Sequence, residues 1–243
     1  MNQDKILFVI PAYNEELNIV KVIDEIKNLD INPDIVIIND CSKDNTSKIV
    51  KEKGVACIDM PFNVGYAMAI QTGLKYATEF DYDYVVQFDA DGQHIAEEAK
   101  KLITKIKEKE LDIVIGSRFT KNNEYKQSFA RRLGGKIFSG LINLFCRQKI
   151  TDPTSGFQVL TKEVYKKYAK MGGYPEYPDA NLIIEMLLAG YKIGEVGVKM
   201  RQREFGESMH KGIIKPIKYM INMFYEIIVI FVINIFNRKE KRV

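Results

Sequence analysis

A chain of 243 residues is long enough for one sizeable α/β domain with a short appendage, and too short for two full domains. Its 46% hydrophobic and 28% charged residues exclude an intrinsically disordered chain. Of the formal net charge of +4 the last seven residues carry +3, with Arg238, Lys239, Lys241 and Arg242 against Glu240, so the body is near neutral and no nucleic-acid partner is expected.

An apolar run over residues 6–10 starts directly after Lys5 and is too short for the core of a secretory signal, so no export is expected. A helical pattern follows, with Ile19, Val22, Ile23 and Ile26 at i, i+3, i+4 and i+7, and then a β-rich run over residues 35–38. That is a βαβ unit. The alternation continues with a strand near residues 55–60, a helix carrying Ala67, Ile70, Leu74 and Ala77 on one face, a strand over 82–88, and a helix-strand pair ending at 112–117. Near-continuous apolar strands alternating with helices predict an α/β fold, a mostly parallel central sheet covered on both faces. Its ligands should gather at the carboxyl ends of the strands.

Beyond Ser117 the pattern loosens into a helix through 137–145, a short strand near 157–160, a helix over about 179–189, a strand over about 193–200, a basic loop over 201–211 and a long apolar stretch over 213–236. We expect a catalytic domain over residues 1–212, its nucleotide-binding half 1–118 and its acceptor-side half 119–212, followed by a hydrophobic helix with a basic tail over 213–243. Cys41, Cys57 and Cys146 are odd in number and form no CxxC pair, which suits reduced thiols.

The first strand runs into Pro11-Ala12-Tyr13-Asn14-Glu15 and lacks the GxGxxG turn of a dinucleotide-binding oxidoreductase. Pro11 is expected to end the strand, and Asn14 or a neighbour to cap the next helix. The second strand delivers Asp40, whose carboxylate can meet the base or ribose of a nucleotide, while Asp44 or Asn45 starts the following helix. The sharpest signal is Phe88-Asp89-Ala90-Asp91-Gly92-Gln93-His94, directly after an apolar strand. Residues two apart in an extended segment point the same way, so Asp89 and Asp91 can converge on one Mg²⁺ or Mn²⁺ ion, which favours oxygen ligands. Gly92 permits a tight exit. His94 either orients this loop or lies at the surface, and with His210 the one other histidine it makes a poor zinc ligand.

Taken together, Pro11-Ala12-Tyr13-Asn14-Glu15, the Asp40 turn, Asn63-Val64-Gly65, Asp89-Ala90-Asp91-Gly92-Gln93-His94 and Gly116-Ser117-Arg118-Phe119 resemble the family 2 glycosyltransferases of GT-A fold, over roughly residues 5–210. The likeness is strongest to dolichyl- and polyprenyl-phosphate sugar transferases and bacterial cell-surface polysaccharide transferases, which carry segments similar to Asp152-Pro153-Thr154-Ser155-Gly156-Phe157. The resemblance implies inverting transfer of a sugar from a nucleotide diphosphate-sugar to a membrane-borne acceptor, a polyprenyl phosphate or a lipid-linked glycan of the cell envelope. It implies that Pro11, Ala12, Tyr13, Glu15 and Asp40, with Asn63 and Gly65, bind the donor, and that Asp89, Asp91 and Gln93 hold the metal. It also places Arg118 near the donor and brings Arg201, Arg203 and Ser208 over the diphosphate, where arginine forks suit phosphate. Many relatives carry glycine where Ala67 stands. Asp179, in Tyr174-Pro175-Glu176-Tyr177-Pro178-Asp179-Ala180-Asn181, is similar to an acidic residue on the acceptor side of relatives and is either a base for a hydroxyl acceptor or, with a lipid phosphate that arrives ionised, merely a helix cap. A glycosyltransferase with a soluble acceptor and an inactive nucleotide-binding scaffold are the alternatives.

The apolar stretch over 213–236 is interrupted by Lys215, Pro216, Lys218, Asn222, Glu226 and Asn234, and Glu226 is expensive in lipid unless protonated or paired. Cationic residues at both ends suit a helix lying flat on anionic lipid at the cytoplasmic face of a membrane. A spanning helix, a helix packed on a sister subunit or membrane partner, and a core helix are the other readings.

Overall fold

The computed structural model describes residues 4–119, 129–205 and 214–240. Seven strands form one sheet: β1 (Ile6–Ala12), β2 (Asp34–Asn39), β3 (Ala56–Asp59), β4 (Tyr84–Gln87), β5 (Ile113–Ser117), β6 (Gln158–Thr161) and β7 (Ile193–Gly197), in spatial order β3-β2-β1-β4-β6-β5-β7. Every pairing is parallel except those of β6, which runs antiparallel to both β4 and β5. The eight α-helices described are α1 (Ile19–Lys27), α2 (Thr46–Glu52), α3 (Tyr66–Glu79), α4 (Ala99–Glu108), α5 (Phe129–Cys146), α6 (Lys162–Lys170), α7 (Ala180–Leu188) and α8 (Ile214–Glu240).

Alternation along β1 builds two cores. Leu7 and Val9 join Val36 and Ile38 under α3, α5, α6, α7 and α8, whereas Phe8 and Ile10 join Ile35 and Ile37 under α1 and α4. Each such side chain, fully buried, contributes on the order of 1.5–3 kcal/mol. The closest approach is at Gly73 of α3, where an added Cβ would lie 2.1 Å from Val9 Cγ1. Strand order reverses between β1 and β4, and in a doubly wound sheet ligands bind outside the carboxyl ends of the strands at such a switch point.

Pro11 does not end the first strand, which continues to Ala12. Beyond Val9 only β2 still pairs with it, and proline is tolerated where one side of a strand is free of partners. Nor does Asn14 cap α1: the N-cap position is Asn18, without a side-chain capping bond. The helix α6, with Val164, Tyr165, Tyr168 and Ala169 buried, is an element the periodicity above does not pick out.

The last helix docks on the domain. Met223 and Ile227 of α8 are buried, and Phe224 and Phe231 meet Phe138 and Phe145 of α5. Its outward face carries Ile217, Ile221, Tyr225, Ile228, Val232, Ile235 and Phe236, all exposed. Residues 217–236, with mean hydropathy 1.9, are the one described stretch long and apolar enough to cross a membrane.

Candidate active site

The loops after β1 and β2 are zipped together. Asn14 sits at φ 56°, its N–H donates to Ser42 Oγ at 2.9 Å, and its Oδ1 accepts from Lys43 N at 2.8 Å. Asparagine is among the few residues that tolerate this conformation. The N–H of Glu15 donates to Thr46 Oγ1, and Asp44 accepts from Glu16 N and from Thr46 N and Oγ1. Burial pushes the Asp44 carboxyl up, yet these bonds hold it below its ordinary value. Pro11 and Ala12 are buried in the strand, and Tyr13 is exposed at the rim. Asn14, Leu17, Lys43, Asp44 and Phe205 border a cavity of about 370 Å³.

Asp40 is buried, and its two oxygens accept from Val64 N at 2.7 Å and Gly65 N at 2.9 Å, while Asn63 Nδ2 donates to Asp40 O. The carboxylate therefore fixes the turn into α3. Gly65 occupies φ 87°, which glycine adopts without strain.

After β4, His94 folds back under the acidic loop. Its Nδ1 accepts from Asp89 N at 3.1 Å, its ring stacks on Phe157, and Nε2 lies 3.5 Å from Asp89 Oδ2. Burial lowers its pKa to about 4, so the ring is neutral at neutral pH and orients the loop, as one of its two expected roles had it. Gly92 takes φ 74° at the exit, and Asp91 Oδ1 accepts from Gln93 N at 3.0 Å. Tyr66 OH donates to Asp89 Oδ1 at 3.1 Å. Burial raises the carboxyls of Asp89 and Asp91, and the charge of Asp89 raises Asp91 further, so the two are close enough to feel each other.

Segment 198–205 is stitched to this loop: Arg201 N donates to Gln93 O at 2.8 Å, and His94 bridges Met200. From there Arg203 reaches in, with Nη2 2.7 Å from Glu15 Oε1 and Nε 3.7 Å from Asp91 Oδ2. Burial raises the Glu15 carboxyl, against the lowering effect of Asn18 and Arg203. The two arginines expected to work together part here, because Arg201 Nη1 pairs instead with Glu25 of α1 at 2.9 Å. Ser208 lies outside the described residues.

A second polar knot supports the far side. Arg118 donates from Nε and Nη2 to the fully buried Asp152, each at 2.7 Å, and from Nη2 to Thr154. Its fork is thus spent on the protein, although its charge still acts on Asp89 and Asp179. Glu195 accepts from Thr151 N and Asp152 N and holds this loop from β7. A Cβ on Gly156 would stand 2.8 Å from Tyr66 OH and 3.7 Å from both Asp89 carboxylate oxygens, so only glycine leaves Tyr66 its place.

Asp179 stands at the N-cap position of α7 but makes no capping bond, and Asn181 Oδ1 takes the Asp179 N–H instead. Its Oδ2 accepts from Tyr219 OH of α8 at 2.9 Å. Burial raises its pKa to about 6, against the lowering effects of Tyr219 and Arg118. Burial raises the hydroxyl of Tyr66, and the charges of Asp89 and Asp179 both raise it further, so both acids lie within electrostatic reach of it. Tyr66, Gly156, Asp152, Glu195 and Tyr219 are the site residues to which the motifs assign no role.

Among the described residues no three His, Cys, Asp or Glu side chains gather as a metal cluster. The pair Asp89 and Asp91 suits an ion that takes its remaining ligands from water and a diphosphate. The electrostatics agree: two carboxylates beside a neutral histidine, with Arg203 shared with Glu15, leave negative charge for a cation to offset.

Residues 7–169 match the family described as glycosyl transferase family 2. The chain belongs to this family. A UDP-N-acetylglucosamine--dolichyl-phosphate N-acetylglucosaminyltransferase of Methanococcus voltae is 32% identical over 250 residues, covering 93% of this chain and 96% of the relative. A dolichol-phosphate mannosyltransferase of Pyrococcus furiosus is 34% identical over 220 residues, covering 86% of this chain and 60% of the longer relative. Among solved structures, glucosyl-3-phosphoglycerate synthase from Mycobacterium tuberculosis with phosphoglyceric acid superposes with a TM-score of 0.71 at 18% identity, over 92% of this chain and 80% of that one. The same enzyme with Mn²⁺, uridine diphosphate and phosphoglyceric acid gives 0.68 at 18% identity, over 95% and 78%. These likenesses show the GT-A fold, and the protein is a glycosyltransferase.

Proposed function

We propose that the protein transfers a sugar, with inversion, from a nucleoside diphosphate-sugar to a polyprenyl phosphate of the dolichyl type at the cytoplasmic face of a membrane, in cell-envelope glycan synthesis. The observation that carries this reading is the cluster around Tyr66. Its hydroxyl bonds Asp89 of the acid pair, beside which Arg203 approaches Asp91, and it feels the charge of Asp179, which is bonded to Tyr219 of α8. The relative that aligns over nearly its whole length makes UDP-N-acetylglucosamine the first donor to test.

Asp40 shapes the wall of the nucleotide site through Asn63 and Gly65, and Pro11, Ala12, Tyr13 and Glu15 supply the opposite wall. Asp89 and Asp91, with Gln93 beside them, would hold Mg²⁺ or Mn²⁺. When bound, that ion offsets the charge that gathers on a departing diphosphate. Arg203 adds a second cation at the same place, turning from Glu15 and Asp91 to the phosphates. Most of a lipid monophosphate has already lost its last proton, with a pKa of about 6, at neutral pH, and Asp179, raised to the same range, is able to take that proton from the remainder. The phosphate oxygen then attacks the anomeric carbon as the bond from that carbon to the diphosphate breaks, which inverts the centre.

The catalytic domain covers residues 1–212, and the appendage from residue 213, seated on the membrane, also packs on that domain and reaches its site through Tyr219. Its outer apolar face favours a lipid surface over a soluble acceptor. Lys211, Lys215, Lys218 and the tail each add on the order of 1 kcal/mol on anionic lipid. Lying flat accounts for the pairing of Glu226 with Asn181, which a spanning helix would break. The test is purified protein with UDP-, GDP- and dTDP-sugars and polyprenyl phosphate, with and without EDTA. Metal-dependent formation of a glycosylated lipid phosphate supports the reading, and nucleotide binding without transfer to any acceptor overturns it in favour of a scaffold.

A further inference from the structure

Four polar side chains of α8 meet one short segment. Lys218 Nζ lies 3.2 Å and Asn222 Nδ2 3.3 Å from the Glu176 carboxylate. Tyr219 OH donates to Asp179 Oδ2 at 2.9 Å, and its ring meets Tyr177 edge-on at 5.0 Å. Glu226 Oε2 accepts from Asn181 Nδ2, and the same Asn181 takes the Asp179 N–H through Oδ1. Asn181 is 1% exposed, so its amide must be fully paired to be tolerated, and Glu226 supplies what α7 cannot. Tyr219, Asn222 and Glu226 form one helix stripe, turned away from the exposed apolar stripe of Ile217, Ile221, Tyr225 and Ile228, with the exposed Lys218 between the two. The helix thus has its outer stripe exposed and its inner stripe bonded to segment 176–181 at three points.

We infer that α8 is a working wall of the acceptor site, with Tyr219 and Glu226 as positioning residues for Asp179, so that seating the outer stripe on a lipid surface sets the geometry of segment 176–181. This rests on Asp179 facing the acceptor. An apolar helix serving only as an anchor would gain more from leucine than from Tyr219, Asn222 and Glu226 at these positions, because burial of a polar group is offset only by a bond. Each of these bonds goes to the segment that carries the acid. The consequence is spatial: the acid is held in order where the helix meets lipid, which is where a polyprenyl phosphate presents its head.

Two measurements on the full-length protein test this. Amide hydrogen exchange is followed with and without vesicles of phosphatidylglycerol and phosphatidylcholine, which needs no substrate. Slower exchange across 174–182 on vesicle binding, lost in Glu226→Leu and kept in Glu226→Gln, whose amide oxygen still accepts from Asn181, supports the inference. Protection confined to α8 overturns it. In turnover, Tyr219→Phe keeps the ring and loses the bond; about a tenfold or greater loss in kcat over acceptor KM, with the donor KM unchanged, is expected. Wild-type acceptor kinetics in folded Tyr219→Phe overturn the inference. Asp179→Asn separates the two layers. If it is inactive while Tyr219→Phe is fully active, the wall fails and the acceptor reading stands; if Asp179→Asn is itself fully active, the acceptor reading fails.

Discussion

Asp179→Asn should make the protein more stable and less active. Burial raises the Asp179 carboxyl from 3.8 to about 6, and in the unfolded chain no such cost exists. That difference corresponds to roughly 3 kcal/mol, and because Asp179 is only partly buried, solvent screening brings the expectation to about 1–2 kcal/mol. The sign follows from proton binding. Between pH 4 and 6 the folded state holds the proton that the unfolded chain has released, so the acid costs stability progressively as pH rises. Above pH 6 the cost is complete and constant, and below pH 4 it is absent. Asparagine accepts the same bond from Tyr219 without the charge. The variant should therefore match wild type at pH 4 and exceed it at pH 7–8 by about 2–8 °C in Tm, at about 2–4 °C per kcal/mol for a domain of this size. Thermal melts across this range, read beside transfer to polyprenyl phosphate, check both halves. Equal melting at every pH, or a less stable variant at pH 8, would refute the burial argument; full transfer activity would refute the role.

Three further outcomes follow from particular contacts. Arg118→Ala leaves the fully buried Asp152 without its fork and should cost about 3–5 kcal/mol in a urea titration, with Arg118→Lys between the two. A midpoint unchanged in Arg118→Ala contradicts this. Gly156→Ala pushes a methyl onto Tyr66 OH and should lower turnover about tenfold or more while moving Tm little, and wild-type turnover would remove Tyr66 from the account. Ile221→Glu with Ile228→Glu should release the protein from anionic vesicles in a flotation assay with the fold intact, since both side chains are exposed. Truncating α8 is a poorer test, because Met223 and Ile227 belong to the core.

The sheet was legible because its strands are buried on both faces and read as unbroken apolar runs, and the two core faces of β1 follow from plain alternation. Strand direction is not written in such runs. The residues of β6 look like those of β4, yet β6 runs the other way, because after α5 the chain re-enters the sheet at the carboxyl end where β5 left it, with Gln158 beside Ile115. Helix α6 was hidden since Val164, Tyr165, Tyr168 and Ala169 sit among four lysines and a glutamate. In the site, Asp89 and Asp91 stood out by lying at the end of a central strand. Tyr66, Gly156 and Tyr219 did not, because each acts only across a long-range contact that no local spacing reports. Arg201 and Arg203 show the limit of spacing arguments: two residues apart in an extended segment, they diverge because Glu25 and Glu15 lie within reach of different long side chains.

The proposed transfer depends on a cation held by Asp89 and Asp91 against a diphosphate. Calorimetric titration of uridine diphosphate into the protein, with Mn²⁺ and with EDTA, for wild type and Asp91→Ala, addresses it without an acceptor. Binding that requires Mn²⁺ in wild type and is lost in the folded variant is the expected result. Equal binding in EDTA, or in Asp91→Ala with Mn²⁺, would contradict it.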